Sequence, residues 1–91
     1  MSREVVWTTQ FKKDYKLAQK RGQAIEILDD CIRVLAAGKR LAPHFRDHNL
    51  SGRWSGHREC HIEPDWLLVY RIEGNDLILI LARTGSHSDL F

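Results

Sequence analysis

The sequence predicts one small α+β domain, residues 1–91, in which an antiparallel sheet packs against a helical hairpin in the order β-α-α-β-β-β. Two observations support this fold class. Apolar residues recur at helical spacing in two consecutive segments of the first half, and three strand-like segments follow in the last third. A chain of 91 residues has room for a single core only, so one domain is expected.

The first elements are a short strand and a helix. Residues 4–7 are strand-like, and Thr8 or Thr9 is a suitable N-cap for a helix over residues 10–20. This helix places three residues on one buried face: Phe11, Tyr15 and Ala18.

A second helix is predicted over residues 23–37, and Gly38 is a suitable C-cap. Its buried stripe consists of Ile25, Leu28, Ile32 and Leu35. Residues 39–53 have no periodicity and predict a long loop, which Phe45 and Leu50 are expected to keep ordered.

Three strands complete the domain, over residues 54–62, 66–72 and 77–84. The turns between them have the sequences Glu63-Pro64-Asp65 and Glu73-Gly74-Asn75-Asp76, which favour hairpins.

The bulk properties exclude several classes of protein. No segment resembles a signal peptide, and no apolar run is long enough to span a bilayer, so a cytoplasmic protein with no membrane partner is expected. Cys31 and Cys60 belong to no CxxC pair and are expected to be reduced thiols.

Basic residues are concentrated upstream of the last two strands. Lys12, Lys16 and Lys20 recur every four residues along one face of the first helix, and like charges at that spacing repel one another. Such a costly arrangement favours a polyanionic partner, although a solubilising surface is an equally open interpretation. The residues that we expect to contact the phosphates of such a partner are Lys12, Lys16, Lys20, Arg21, Lys39 and Arg40.

Histidines, an acid and an arginine lie at the ends of the predicted strands. In the simplest hairpin registers His61 pairs with Trp66 and Trp66 pairs with Arg83, so these three would form a row on one face. Asp65 lies at the adjoining turn, and His87 follows the last strand. A slip of one residue in either hairpin would place some of these residues on opposite faces of the sheet, but they would remain at the same edge.

These side chains match what RNA cleavage without a metal requires. Histidine suits the general base and the general acid, and arginine suits the developing phosphorane charge. Exposed rings such as Trp66 and Phe91 could hold an unstacked base. Each also has a structural interpretation: Trp66 and Trp54 could be core residues, and Arg83 could pair with Glu63, Asp65 or Asp89.

Three runs of sequence carry a family resemblance. They are residues 47–52, 56–70 and 83–91, with the pattern D-H-x-L-x-G…R-x-x-H-x-x-P-D-x-L-L-x-Y…R-x-G-[ST]-H-x-x-L-F. This pattern resembles the YafQ branch of the RelE/ParE toxin superfamily over nearly the whole chain.

The resemblance implies a RelE-like, microbial ribonuclease-like fold and a toxin of a bacterial type II toxin–antitoxin module. Such toxins cut mRNA in the ribosomal A site without a metal or other cofactor. A cognate antitoxin, usually of ribbon-helix-helix type, holds them inactive and carries the complex to operator DNA. By position, the implied catalytic residues are His48, His61, Asp65, His87 and Arg83, and the implied substrate-binding residues are Trp66 and Phe91.

The roles within this set are less defined than its membership. We expect His87 to be the general acid, because it lies on a short tail near Arg83. Asp65, His48 or His61 would then be the general base.

Three alternatives stay open at this point. A ParE-like toxin would bind DNA gyrase without cleaving RNA, and the chain could act chiefly as a co-repressor with its antitoxin. A metal site of His57, His61, Asp65 and His87 is disfavoured, because residues four apart on a strand are separated by ~13 Å, too far to share one ion.

Overall fold

The computed structural model describes residues 2–91. We number the elements in chain order: β1 (Glu4–Trp7), α1 (Thr9–Lys20), α2 (Ile25–Ala36), β2 (His48–Asn49), β3 (Arg58–Glu63), β4 (Trp66–Glu73), β5 (Ile78–Gly85) and α3 (His87–Leu90). Two single turns of 3₁₀ helix, Pro43–Phe45 and Gly52–Trp54, lie before and after β2. None of the helices described in residues 2–91 has the length and apolar character that crossing a membrane requires.

The sheet has five strands in the order β1-β5-β4-β3-β2, and it is mixed rather than antiparallel. The β3-β4-β5 meander is antiparallel as predicted, but β1 pairs with β5 in parallel, with Val5 opposite Leu79. The predicted antiparallel sheet is therefore confirmed for the meander, and the β1–β5 pair is an addition in the parallel sense. The pattern of a single strand does not record its partner, and the meander leaves the edge of β5 open for β1.

The helical hairpin covers one face of the sheet, as expected. The main core joins α1 and α2 to the strands through a shared set of buried residues: Phe11, Leu28, Leu35, Cys60, Leu68, Tyr70 and Leu81. The opposite face carries a smaller cluster of Leu67, Val69 and Leu90, with Leu50 and Trp54 packed against it. The sheet therefore has a covered helix face and a second face that is only partly covered.

The predicted start of α1 and the predicted glycine after α2 are confirmed, whereas α2 begins at Ile25 and not at residue 23. The Thr8 hydroxyl accepts a hydrogen bond from the Phe11 N–H at 3.1 Å and caps α1. Gly38 follows α2 with φ 79°, which lets the Lys39 N–H return to the Val34 carbonyl at 3.1 Å.

The predicted hairpin registers are wrong. Ile72 lies opposite Leu79 rather than Leu77, because the β4–β5 turn uses positive φ at three successive residues, Gly74, Asn75 and Asp76. Trp66 lies opposite Glu63, and Arg83 lies opposite Val69. Irregularities in the pairing occur between His61 and Glu63 and again between Val69 and Tyr70. The expected row of His61, Trp66 and Arg83 does not form.

The loop between α2 and β3 is ordered, and its two predicted anchors are confirmed. Phe45 packs against the main core and Leu50 packs on the opposite face of the sheet. The strand predicted over residues 54–62 begins later than expected, at Arg58, because residues 52–54 form a turn of 3₁₀ helix and Gly56 adopts φ 86°. The loop also contributes β2, which the sequence pattern did not predict.

Candidate active site

The partly covered face of the sheet carries the candidate site. Along β3 the side chains alternate, so that Cys60 and Ile62 enter the main core while Glu59 and His61 lie on the other face. His48 of β2 lies directly opposite Glu59 and shares its face. The pairing of β2 with β3 thus brings His48 beside His61. Strand geometry predicted from the sequence had not connected His48, a loop residue, to the others.

A buried carboxylate lies between two imidazoles. The Oε1 atom of Glu59 is 3.5 Å from Nε2 of His48 and 3.5 Å from Nε2 of His61. The Glu59 side chain is 6% exposed, whereas that of His48 is 50% exposed. A carboxylate in this position stabilises a positive charge on either ring, and the exposed ring can still contact a substrate.

His87 completes the group from the short helix α3. Its ring lies 5.8 Å from that of His61, and the His61 ring lies 6.2 Å from that of His48. A capping box orients α3: Ser86 accepts from the Asp89 N–H, and the Asp89 carboxylate accepts from the Ser86 N–H. The three imidazoles therefore come from three separate elements.

Asp65 orients the ring of His87. Its Oδ1 atom accepts from the His87 N–H at 3.1 Å and contacts Nδ1 at 3.0 Å. These hydrogen bonds from His87 lower the pKa of Asp65 below its ordinary value. Because a carboxylate accepts, we assign the Nδ1 proton to His87, which leaves Nε2 to exchange a proton with a substrate.

His48 is oriented by a different acceptor. Its Nδ1 atom lies 2.7 Å from the carbonyl oxygen of Arg46. A carbonyl only accepts, so Nδ1 carries the proton and the neutral ring has its lone pair on Nε2, the atom that faces Glu59.

Phe91 lies at the rim of the site. Its side chain is 57% exposed, and its ring lies 6.4 Å from that of His87 and 6.1 Å from that of Trp54. An exposed ring beside an imidazole offers a face on which a base can stack.

Trp66 is not brought to this site. It is 2% exposed and belongs to the main core, and within residues 2–91 its Nε1 atom has no hydrogen-bond partner. A ring buried on the helix face has no free surface for a base, so the expectation that Trp66 binds substrate is corrected. The error follows from the register, which was predicted to place Trp66 beside His61.

Arg83 points its guanidinium at α1. Its Nε donates to Asp14 Oδ2 at 2.8 Å and its Nη2 donates to Asp14 Oδ1 at 3.3 Å. The Thr84 N–H also donates to Asp14, which is 8% exposed. The partner is thus none of the three acids considered from the sequence, and the hydrogen bonds recorded for Arg83 in residues 2–91 do not go to a histidine.

Glu59 is the site residue that sequence reasoning missed. The signal was the spacing of Glu59 and His61, because residues two apart on a strand share a face. An acid on the same strand face as a histidine is expected to meet it.

The basic residues are exposed, and they divide into three groups. Lys12, Lys16 and Lys20 lie along α1, whereas Arg21 donates to Asp89 of α3 at 2.8 Å. Lys39 and Arg40 line an open groove of about 730 Å³ together with Arg3, Arg46 and Arg58. Arg21 therefore has a structural ion pair that the charge pattern did not indicate.

Three residues of the site could hold a metal ion. Glu59, His61 and His87 each offer one ligand atom, and these atoms lie within 4.8 Å of one another. Imidazole and carboxylate ligands suit zinc, copper or nickel. This set differs from the one considered from the sequence: His57 packs edge-on against Trp54 at 5.2 Å instead.

Comparison with known proteins identifies the family of this sequence. The sequence matches over residues 3–91 the family described as the bacterial toxin of type II toxin-antitoxin system, YafQ. It is 38% identical to the mRNA interferase toxin YafQ of Escherichia coli strain K12, over 100% of this chain and 98% of that protein.

Solved structures have the same fold. The crystal structure of the E. coli DinJ-YafQ toxin-antitoxin complex matches at a TM-score of 0.90 with 38% identity, covering 100% of this chain and 99% of the other. A metal-bound toxin from Helicobacter pylori matches at a TM-score of 0.90 with 41% identity over 100% of both chains. The family match spans nearly the whole chain, and we conclude that this protein belongs to the YafQ family of type II toxin–antitoxin toxins.

Proposed function

We propose that the chain is an endoribonuclease that cleaves mRNA in the ribosomal A site during translation, without a metal. The observation that carries this proposal is the arrangement of two imidazoles, His48 and His87, of which one would act as general base and the other as general acid. His48 donates from Nδ1 to a carbonyl, and His87 donates from Nδ1 to a carboxylate. In both rings Nε2 is the remaining nitrogen, and that of His48 also lies 3.5 Å from Glu59.

The chemistry divides between these two rings. His48 Nε2 accepts the proton of the ribose 2′-OH, and the 2′-oxygen attacks phosphorus. The bond from phosphorus to the 5′-oxygen breaks, and protonated His87 delivers its Nε2 proton to that oxygen. The products are a 2′,3′-cyclic phosphate and a free 5′-OH.

The neighbouring charges support these roles. Glu59 lies 3.5 Å from His48 and stabilises the imidazolium that forms when the base accepts its proton. Asp65 does the same for the protonated form of His87. These contacts favour His48 over Asp65 as the general base, since Asp65 already accepts two hydrogen bonds from His87.

His61 and Arg83 are proposed to stabilise the phosphorane. The His61 ring lies between the other two, at ring distances of 6.2 Å and 5.8 Å. Arg83 would contact phosphate by exchanging one of its two bonds to Asp14, which its side-chain exposure of 26% allows. Phe91 is proposed to stack on a base of the mRNA.

The proposed partners follow from the family. An E. coli relative was crystallised with the antitoxin DinJ, so we propose a cognate antitoxin, of ribbon-helix-helix type, that carries this chain to operator DNA. Lys12, Lys16, Lys20, Lys39 and Arg40 are proposed to contact ribosomal RNA phosphates, whereas Arg21 is held by Asp89. Action on ribosomes would place the activity in the cytoplasm.

Primer extension on an mRNA translated in vitro tests the proposal. We expect in-frame cuts with the wild type and their loss with His87→Ala. His44→Ala is the matched control, because His44 is an exposed imidazole that packs against Phe45 instead. The same mRNA without ribosomes shows whether translation is required.

The opposite outcome has a defined meaning. If translation or growth stops while no cuts appear with the wild type, the ribonuclease proposal fails. A ParE-like toxin that binds DNA gyrase would then be the better interpretation.

A further inference from the structure

We propose that Tyr70, a core residue remote from the substrate, acts through Asp47 to fix the tautomer and the position of His48. The proposal rests on the role of His48 as general base in the function proposed above. It assigns Tyr70, Asp47 and Arg58 as positioning residues, not catalytic ones.

Asp47 is tied to the sheet at two points. Its Oδ1 atom accepts from the Tyr70 hydroxyl at 2.7 Å and from Nε of Arg58 at 3.2 Å. Tyr70 belongs to β4 and is 1% exposed, and Arg58 begins β3. The carboxylate that precedes His48 in sequence is therefore held by donors from two strands.

The Tyr70 hydroxyl remains a donor in this setting. Burial and the hydrogen bond to Asp47 raise the pKa of Tyr70 above its ordinary value, so the phenol keeps its proton. A buried hydroxyl also costs free energy unless it is hydrogen-bonded, and the bond to Asp47 satisfies the hydroxyl of Tyr70. The contact is accordingly a fixed one and not an occasional surface pair.

The residue on the other side of Asp47 is Arg46, which adopts φ 53°. A left-handed backbone is unfavourable for a residue with a Cβ and persists only where the surroundings hold it. Its carbonyl is the acceptor for Nδ1 of His48 at 2.7 Å. Because Asp47 connects Arg46 to His48, its anchoring to Tyr70 and Arg58 holds this arrangement in place.

Arg58 also binds Asn49, the residue that follows His48 in sequence. Its Nη1 donates to Oδ1 of Asn49 at 2.7 Å, while its Nε donates to Asp47. The residues before and after the histidine are thus bound by one guanidinium.

The chemical consequence concerns which nitrogen of the neutral His48 ring carries the proton. A neutral imidazole can carry its proton on either nitrogen, and only the Nδ1–H form has a lone pair at Nε2, which lies 3.5 Å from Glu59 in the site. If the Arg46 carbonyl moved away, the Nε2–H form would become populated. That form could not accept the 2′-OH proton at the nitrogen that faces the site.

The direct test is the tautomer of His48 measured by long-range ¹H–¹⁵N NMR on ¹⁵N-histidine-labelled protein at a pH where the ring is neutral. We expect the Nδ1–H form in the wild type. In Tyr70→Phe and Asp47→Ala we expect a shift toward the Nε2–H form. Asp47→Asn keeps an acceptor oxygen, so its fraction of the Nε2–H form should lie between that of the wild type and that of Asp47→Ala.

Tyr15→Phe is the matched control. Tyr15 donates to Asp29 at 2.8 Å between α1 and α2, so this variant removes the same kind of bond elsewhere. It should leave the His48 tautomer unchanged. Thermal melting of all variants identifies any that are not folded.

Cleavage kinetics test the functional consequence. Tyr70→Phe should lower kcat by about 10-fold with KM unchanged, because a misplaced base slows the chemical step without weakening binding. In a His48→Ala background, Tyr70→Phe should cause no further loss, since both changes remove the same function.

Each outcome decides the proposal. An Nδ1–H tautomer that persists in Tyr70→Phe overturns it, and so does a further loss of similar size in the His48→Ala background. A changed tautomer with an unchanged kcat also overturns the positioning role. If the wild type cuts no mRNA, the proposed function fails, while the tautomer measurement still decides whether Tyr70 controls His48.

Discussion

Asp65 binds His87 twice, through the backbone N–H at 3.1 Å and through Nδ1 of the ring at 3.0 Å. The carboxylate lies in the turn between β3 and β4, so an exposed turn residue sets both the start of α3 and the direction of its first imidazole. The side chains are 70% and 53% exposed, which leaves the pair open to a substrate.

Removing the charge of Asp65 should impair catalysis more than folding. Asn in place of Asp65 can donate to Nδ1 and so favours the opposite tautomer of His87, and we expect Asp65→Asn to lower the cleavage rate by roughly 10²-fold. Single-turnover cleavage on stalled ribosomes measures this effect. Asp30→Asn is the control, because Asp30 is an exposed acid paired with Arg33 on α2. Equal rates for wild type and Asp65→Asn would remove Asp65 from the mechanism.

Glu59 gives a second prediction. Glu59→Gln keeps the shape of the side chain but removes the charge between His48 and His61, and we expect the cleavage rate to fall by roughly 10²-fold. The variant should fold, because glutamine can still contact both rings. Circular dichroism checks the fold, and primer extension checks the activity. Full activity in Glu59→Gln would show that the imidazolium needs no counter-charge.

The Arg21–Asp89 pair predicts a pH-dependent stability. Its hydrogen bond is the main cause of a pKa of about 2 at Asp89, against an ordinary value of 3.8. A depressed carboxyl pKa stabilises the fold above pH 3.8, and this contribution declines as the pH falls to about 2. Both side chains are partly exposed, so we expect about 0.5–1 kcal/mol at pH 6.

Urea unfolding of wild type and Arg21→Ala from pH 6 to pH 2 measures this contribution. The difference in the free energy of unfolding should be largest at pH 6 and should disappear near pH 2. Lys20→Ala is the control, because Lys20 is the exposed neighbour of Arg21 at the end of α1. A difference that does not change with pH would attribute the effect of Arg21 to packing.

Transition metals should inhibit cleavage. An ion bound to Glu59, His61 and His87 would compete with the proton that His87 is proposed to deliver and would withdraw Glu59 from His48. We expect Cu²⁺ or Zn²⁺ to stop cleavage and a chelator selective for transition metals, which leaves Mg²⁺ to the ribosome, to restore it. Calorimetric titration of wild type and Glu59→Gln tests whether this residue is a ligand. Loss of cleavage when the chelator alone is added would instead indicate a metal-dependent enzyme.

The lysine stripe of α1, Lys12, Lys16 and Lys20, should matter for ribosome binding and not for stability. Replacing all three by Gln removes up to three phosphate contacts, so the affinity for ribosomes and its salt dependence should both fall. The same change removes like-charge repulsion and should raise helix stability by a few tenths of a kcal/mol per pair. Sedimentation at several salt concentrations, with Lys13→Gln as a single-site control, measures the affinity. An unchanged salt dependence would make the stripe a solvated surface.

Several features were predictable because they depend on local order in the chain. The cap at Thr8, the end of α2 at Gly38 and the meander of β3, β4 and β5 follow from residue type and spacing. The family pattern named His48, His61, Asp65 and His87, and four elements bring these residues to one part of the surface. In the sequence, each of these residues lies at or near the end of a strand.

The sequence by itself determined the α+β class, the helical hairpin and the identity of the imidazoles, because these depend on periodicity and on residue type. Only the tertiary structure decided which faces those residues occupy. The pairing of β2 with β3 brings His48 to Glu59. The β3–β4 register, which shifts between His61 and Glu63, leaves Trp66 on the core face while His61 lies on the other face. Strand partner, register and bulge depend on contacts between distant residues, and a shift of one residue exchanges the two faces of a strand.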